Sequence, residues 1–464
     1  MNALIFLLWF WSLSLFSQQS FNYQANNSHH FVEAYQYDDK WIIDHYKVSA
    51  GKLQERMYQR IYLKKSQWEK KLKQLQTIAR TNSFSLRAPD FGLETEDERN
   101  VVWVTKEQWS LDWESKFQVW VRENVNPTFF KSYRIATDCA DVMFALRWIF
   151  SRIHYLPMGN TLAGSRKIFS NESFRTAWSD LSRHEEWHQD KVFLAALDYV
   201  LDNTYTATLY EDSIPVSITP STFGEGNFFL TMRGPQEMGH TEVVYNINQN
   251  PGKIKILFSD VPRMVRRLFF TAVYPRYADP YKYSMRSIKW ITKSTDGKWR
   301  FVRDILHPHY SLYQFSDEFK FGFKEYYNAL FYHLGLAYDY EQHYKSLKQR
   351  LMDQLLDRVQ VVKEGLAICL VNDCSPGTEL YGQWSTPSRD AKVVETFLTI
   401  ESVLYTANQP ALLEDYMQWL NSQEVTIDEN KNLNMRSIQS RFIEKKISSD
   451  PRDSLNLRWG FPVE

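Results

Sequence analysis

TDCADVMFALRWIFSRIHYLP, residues 137–157, decides how the chain is read. Thr137 or Asp138 can cap a helix, and Asp141 stands where it can reach back to close a capping box on Asp138. Val142, Leu146, Ile149 and Ile153 recur at helical spacing and predict a buried stripe; Pro157 follows the helix end. The same stretch sets Cys139 in the first turn of that helix. A helix N-terminus favours negative charge, which lowers a thiol pKa. Asp138 and Asp141 act the other way, because like charges nearby raise it.

Working outward, the downstream segments are short, β-rich and bounded by Pro, Gly, Asn or Asp. TYTATLY (204–210), IPVSI (214–218), NFFLTM (227–232), TEVVYNI (241–247) and KIKILFS (253–259) read as strands. One helix followed by five strands predicts an α+β fold. Upstream, residues 18–50 are polar and aromatic with no clear period. Leu53, Met57, Ile61, Trp68, Leu72 and Leu75 predict an amphipathic helix over 52–80, and residues 81–100 read as a linker. VVWV and FQVWV follow as short aromatic segments. Beyond about residue 320 the pattern is helical, through 323–365, 389–408, 410–421 and 434–447, with YGQWSTPSRD (381–390) as a helix start. The His307-Pro308-His309-Tyr310 segment reads as a loop and Asp212 as a turn residue.

The chain has 464 residues, 44% of them hydrophobic, which is enough for two or three domains with sizeable cores. Its 55 basic and 55 acidic residues balance, so it does not look like a polyanion binder and nucleic acid is not an expected partner. Residues 1–17 read as a leader with an apolar run from Ala3 to Phe16, short for a bilayer span. This predicts export to the periplasm or the exterior, with membrane contact only if that segment stays uncleaved. Three cysteines then take on meaning. Cys369 and Cys374 are close enough in sequence to close a local disulfide in an oxidising compartment, which leaves Cys139 alone.

A lone thiol at a helix start needs a base to act as a nucleophile. His240, in MGHTEVVYNI, opens a predicted strand, a rigid place to present an imidazole. Ser259 and Asp260 end the next strand and are the candidates to orient that ring.

DCADVMFALRWIFSRIHYLP resembles the nucleophile motif of the bacterial cell-wall cysteine peptidases of the NlpC type, in which an Asp-Cys pair opens a helix ending near Leu-Pro. GEGNFFLTMRGPQEMGHTEVVYNI is similar to that family's second motif, where Gly-His opens a strand. The resemblance covers roughly residues 130–262 and assigns Cys139 as nucleophile and His240 as base. Ala140-Asp141 replace the usual Ser-Gly after the cysteine, and the third polar group falls within Phe258, Ser259 or Asp260. It implies a papain-like domain over 126–270, between a mainly helical region at 18–125 and another at 271–464. The implied activity is amide hydrolysis on a cell-wall peptide, with no cofactor. Transglutaminase-like acyl transfer and a non-catalytic envelope scaffold or binding protein on the same fold are the alternatives.

A different chemistry is written in His184-Glu185-Glu186-Trp187-His188, which matches the zinc-peptidase pattern. On a helix, His184 and His188 would share a face, with Glu185 as base. The polar surroundings and the lack of a clear third ligand favour a solvated helix start instead.

Overall fold

The computed structural model describes residues 19–25, 28–37, 40–49, 56–64, 67–74, 100–164, 168–232, 239–249, 252–261, 263–319, 322–429 and 431–461. The expected leader at 1–17 and most of the expected linker lie outside these residues.

The chain mixes helix and sheet, in keeping with an α+β reading. Its N-terminal part differs from expectation. Strands β1 (Gln19–Ala25), β2 (Ser28–Tyr37), β3 (Lys40–Ser49) and β4 (Arg56–Lys64) form an antiparallel meander. The helix expected from residue 52 is therefore a strand through Lys64, and only 67–74 (α1) is helical among the described residues. Met57 and Ile61 explain the misreading. A spacing of four keeps two residues on one face of a helix and also on one face of a strand.

Two short helices, α2 (Leu111–Asn124) and α3 (Phe129–Tyr133), lead to α4 (Cys139–His154). FQVWV belongs to α2. At the start of α4, Asp138 accepts from the N–H groups of Ala140 at 3.0 Å and Asp141 at 3.2 Å, and the Asp141 side chain accepts from Asp138 N–H at 2.9 Å. The capping box is complete, so the helix begins at the cysteine. It ends where Tyr155 turns left-handed, at φ 55°. Its burial exceeds the expected stripe: every residue from Cys139 to Arg152 is buried. The reason is position, since α4 lies between a central sheet and the helices α2, α5 (Lys191–Asp202) and α6 (Thr206–Glu211).

Strands β5 (Gly159–Thr161) and β6 (Ile168–Ser170) form a small hairpin. The central antiparallel sheet has the order β11-β10-β9-β8-β12-β7. Its strands are β7 (Ser213–Pro215), β8 (Phe228–Thr231), β9 (His240–Gln249), β10 (Gly252–Phe258), β11 (Phe269–Val273) and β12 (Tyr283–Ile288). TYTATLY, expected as a strand, is α6. Thr208 Oγ1 accepts from Tyr205 N–H at 3.0 Å, and Thr206 Oγ1 accepts from Gly239 N–H at 3.1 Å. These caps and docking contacts override the β preference of Thr and Tyr. The domain limit expected at residue 270 falls inside β11, and β12 extends the sheet to Ile288. All six residues of β12 are buried although Ser284, Arg286 and Ser287 are polar, so hydrophobic alternation gave no sign of it.

The C-terminal part contains α7 (Phe323–His333), α8 (Tyr340–Cys369), α9 (Glu379–Trp384), α10 (Pro387–Ala407), α11 (Pro410–Ser422) and α12 (Met435–Ile443). A hairpin of Glu424–Asp428 and Lys431–Asn434 interrupts them. Cys369, the last residue of α8, is joined by a disulfide to Cys374. Leu351, Leu355, Val393 and Phe397 pack α8 against α10, and Arg358 reaches Asp390 at 2.6 Å across that buried seam. Helix α8 also packs on β11, which brings the C-terminal helices onto the central sheet. No helix among the described residues is long and apolar enough to cross a membrane.

Candidate active site

The nucleophile candidate sits at the seam between α4 and the sheet. Thr137 N–H donates to Met264 O at 3.1 Å, and Ser259 Oγ donates to Thr137 O at 2.9 Å. These bonds pin the turn before α4 to the chain that leaves β10. Ser259 is thereby committed to the backbone, and Asp260, the other candidate for orienting the imidazole, accepts from Val261 N–H at 3.0 Å and from Lys392 Nζ at 3.2 Å.

Cys139 is buried, and its Sγ lies 3.9 Å from Gly239 O. The residue after Gly239 is His240, the first of β9. Glycine is required at 239: a Cβ there would lie 2.4 Å from Thr231 O and 2.9 Å from Thr206 Oγ1. In the ladder, Val243 stands opposite Leu257 and Val244 opposite Ile256. His240 and Asp260 lie beyond this ladder at the same end of the two strands, and both line one cavity. The structure thus gathers Cys139, His240 and Asp260, residues from three separate segments.

The electrostatics describe a resting, uncharged pair. Burial pushes the Cys139 thiol well above its ordinary value, and Asp138 and Asp260 push it further in the same direction. Burial lowers the His240 pKa to about 3, and the Lys392 ammonium adds to the effect. His240 Nε2 is buried without a hydrogen-bond partner, and the ring meets Phe258 edge-on at 5.2 Å. Burial alone would raise the Asp260 carboxyl, but Lys392 and Arg389 outweigh it and hold the group ionised, below the usual carboxylate range. Lys392 Nζ donates to Asp260 Oδ2 at 3.2 Å. The capping carboxyls differ: burial pushes both Asp138 and Asp141 upward, and Arg263 pairs with Asp141 at 3.3 Å.

The C-terminal helices supply the groups that sequence reasoning missed. From α8, Arg350 pairs with Glu242 of β9 at 2.5 Å. From α10, Arg389 donates to Asp357 at 2.7 Å and to Val261 O at 2.8 Å, and Lys392 takes Asp260. STPSRD is a helix start, as expected, with Pro387 in its first turn. Nothing in its composition signals that the following turn enters a site more than a hundred residues upstream. Between α8, α10 and the edge strands lies a cavity of about 410 Å³ that reaches His240 and Asp260.

The zinc pattern is not formed. Residues 184–188 are loop and turn rather than helix, so His184 and His188 share no helical face. His184 Nδ1 instead accepts from Glu186 N–H at 3.0 Å, and His184, Glu185 and His188 are all exposed. Among the described residues no group of His, Cys, Asp and Glu is arranged to hold a metal. Asp212, expected in a turn, is buried and accepts from Asn160 at 3.0 Å and from Thr161 N–H at 2.8 Å.

No family model, curated protein or solved structure matches this chain.

Proposed function

We propose that the chain is an exported cysteine peptidase or amidase with a papain-like central domain, acting on cell-wall peptides through Cys139, His240 and Asp260. The observation that carries this reading is the convergence of a thiol at a helix N-terminus, an imidazole at a strand start and a carboxylate just past the end of the neighbouring strand. The neutral resting pair suits concerted base catalysis. His240 takes the thiol proton as sulfur bonds to the amide carbonyl carbon, and the resulting imidazolium protonates the departing amine. Water then attacks the thioester and returns the thiol. Asp260 stabilises the imidazolium. The caps already occupy the Ala140 and Asp141 N–H groups, so the Cys139 N–H is the donor left for the oxyanion.

Purified cell-wall peptides incubated with the full chain should release new amine termini. Cys139→Ala and His240→Ala should each lower that rate by about 10³-fold or more. Release that survives Cys139→Ala sinks the reading. A second reading, a non-catalytic envelope protein on the same fold, is favoured by the burial of Cys139 and its raised pKa. It predicts no release, and alkylation of Cys139 by iodoacetamide at a rate indifferent to His240→Ala.

A further inference from the structure

The cavity beside His240 is two-natured. Phe258, Leu268, Phe269 and Leu356 give it an apolar wall, and Phe258 and Phe269 stack at 5.1 Å between ring centres. Charged side chains also line it, but most are already neutralised by the protein. Lys392 is held by Asp260, Arg389 by Asp357 and Arg350 by Glu242. Asp353 accepts from Gln349 at 2.9 Å, and burial pushes its carboxyl upward, toward the neutral form.

Arg267 is the exception. It is exposed at the cavity wall and has no hydrogen-bond or ion-pair partner among the described residues. Phe270 and Leu356 beside it are 41% and 53% exposed, so the mouth combines a bare cation with uncovered apolar surface. At the inner end, the unpartnered, buried Nε2 of His240 belongs to a residue that lines the same space. A desolvated ring nitrogen without a partner is costly to the free protein, and a ligand that bonds it recovers that cost.

We propose that this cavity binds an apolar acyl chain or side chain that ends in a carboxylate, with the carboxylate on Arg267 and the opposite end toward His240. The proposal deepens the reading of the thiol site by naming its substrate class: an amide whose acyl portion is apolar and carries a carboxylate away from the reacting carbonyl. It rests on that reading only for where the reacting bond lies; binding is a property of the cavity itself.

Decanoate is a probe of the carboxylate and the apolar chain, with no bond to cleave and no group that bonds His240 Nε2. It is titrated calorimetrically into the full chain carrying Cys139→Ala, alongside decanol and decylammonium. Decanoate should bind saturably, and Arg267→Ala should weaken it by about 2- to 5-fold, the size of one exposed ion pair. Leu356→Glu, a change at an exposed position, should abolish binding by setting a like charge at the mouth while circular dichroism stays unchanged. Equal affinity for decanoate and decylammonium, or indifference to Arg267→Ala, overturns the choice of an anion. Absence of saturable decanoate binding overturns the site. Because Cys139 is absent from the titrated protein, binding without peptide release by the wild type would leave the cavity assigned and refute the peptidase.

Discussion

Two buried polar clusters hang on the same helix, about 12 Å apart along its axis from Cys139 to Arg147. At Arg147 the charges are closed. Its guanidinium donates to both oxygens of Glu114, at 2.9 Å to Oε2, and stacks 3.4 Å above the Trp109 ring. Trp290 donates to the same carboxylate, with His307 packed on its indole at 4.4 Å between ring centres. At Cys139 the charges are open. The thiol has only a long approach to Gly239 O, His240 Nε2 has no partner, and Asp260 is bound by a lysine from a distant helix. Burial is equally deep in both places. Both also hold an unpartnered buried ring nitrogen, on His307 and on His240, so the difference lies in the charges: Arg147 meets Glu114 inside its cluster, whereas the thiol and imidazole beside Asp260 are neutral and unpaired. The closed cluster ties α2, α4 and the loop at 307 together; the open one leaves chemistry unspent beside a cavity.

The sharpest way to break this comparison is to open the closed cluster. Glu114→Gln leaves the Arg147 guanidinium buried without its counter-charge, a loss of about 3–5 kcal/mol in urea unfolding. Cys139→Ala, at the other end of the stretch, should cost about 1 kcal/mol, the scale of a small core truncation. Equal losses would mean that the two clusters do the same work.

Acid separates the clusters less strongly but tests both. His240 and His307 each have a folded pKa lowered to about 3 by burial, against 6.5 for an ordinary histidine. Both rings are neutral in folded and unfolded chains above pH 6.5, so their stability contribution is complete there. As pH falls from 6.5 toward 3 the unfolded chain gains protons that the folded one refuses, and stability is lost at about 1.4 kcal/mol per unit of pKa difference. His240→Gln and His307→Gln should each flatten the decline in urea midpoint between pH 7 and pH 4.5. A steep decline surviving both substitutions would place the acid sensitivity elsewhere.

The smallest expected effect concerns Lys392. Its ammonium opposes an imidazolium at His240 and holds the carboxylate that would favour one. Lys392→Met should raise the titration midpoint of the His240 ring by about one pH unit, followed by its Cε1 proton resonance. An unmoved midpoint would show that Asp260 does not act on the ring.

How much of this was written in the sequence depends on the range of the interaction that decides each element. The Asp138–Asp141 box acts across three residues, so the start of α4 and the place of Cys139 were legible. The strands β8, β9 and β10 were legible for the same reason, through local β-rich composition between turn residues. The meander at 19–64 was not, because its polar strands show no periodicity and the four-residue spacing of Met57 and Ile61 suits helix and strand alike. TYTATLY became a helix because Gly239, distant in sequence, bonds Thr206.

By itself, then, the sequence determined the helix that opens at Cys139 with its cap, the strand that opens at His240 and the disulfide-capable pair Cys369 and Cys374. Each depends on neighbours in the chain. Only the tertiary structure decided that Ser259 bonds the backbone of Thr137, that Lys392 holds Asp260, and that residues 184–188 form no helix. Those outcomes turn on desolvation and on partners brought in from other segments, and no local pattern encodes where a charge will be buried or which opposite charge will meet it there.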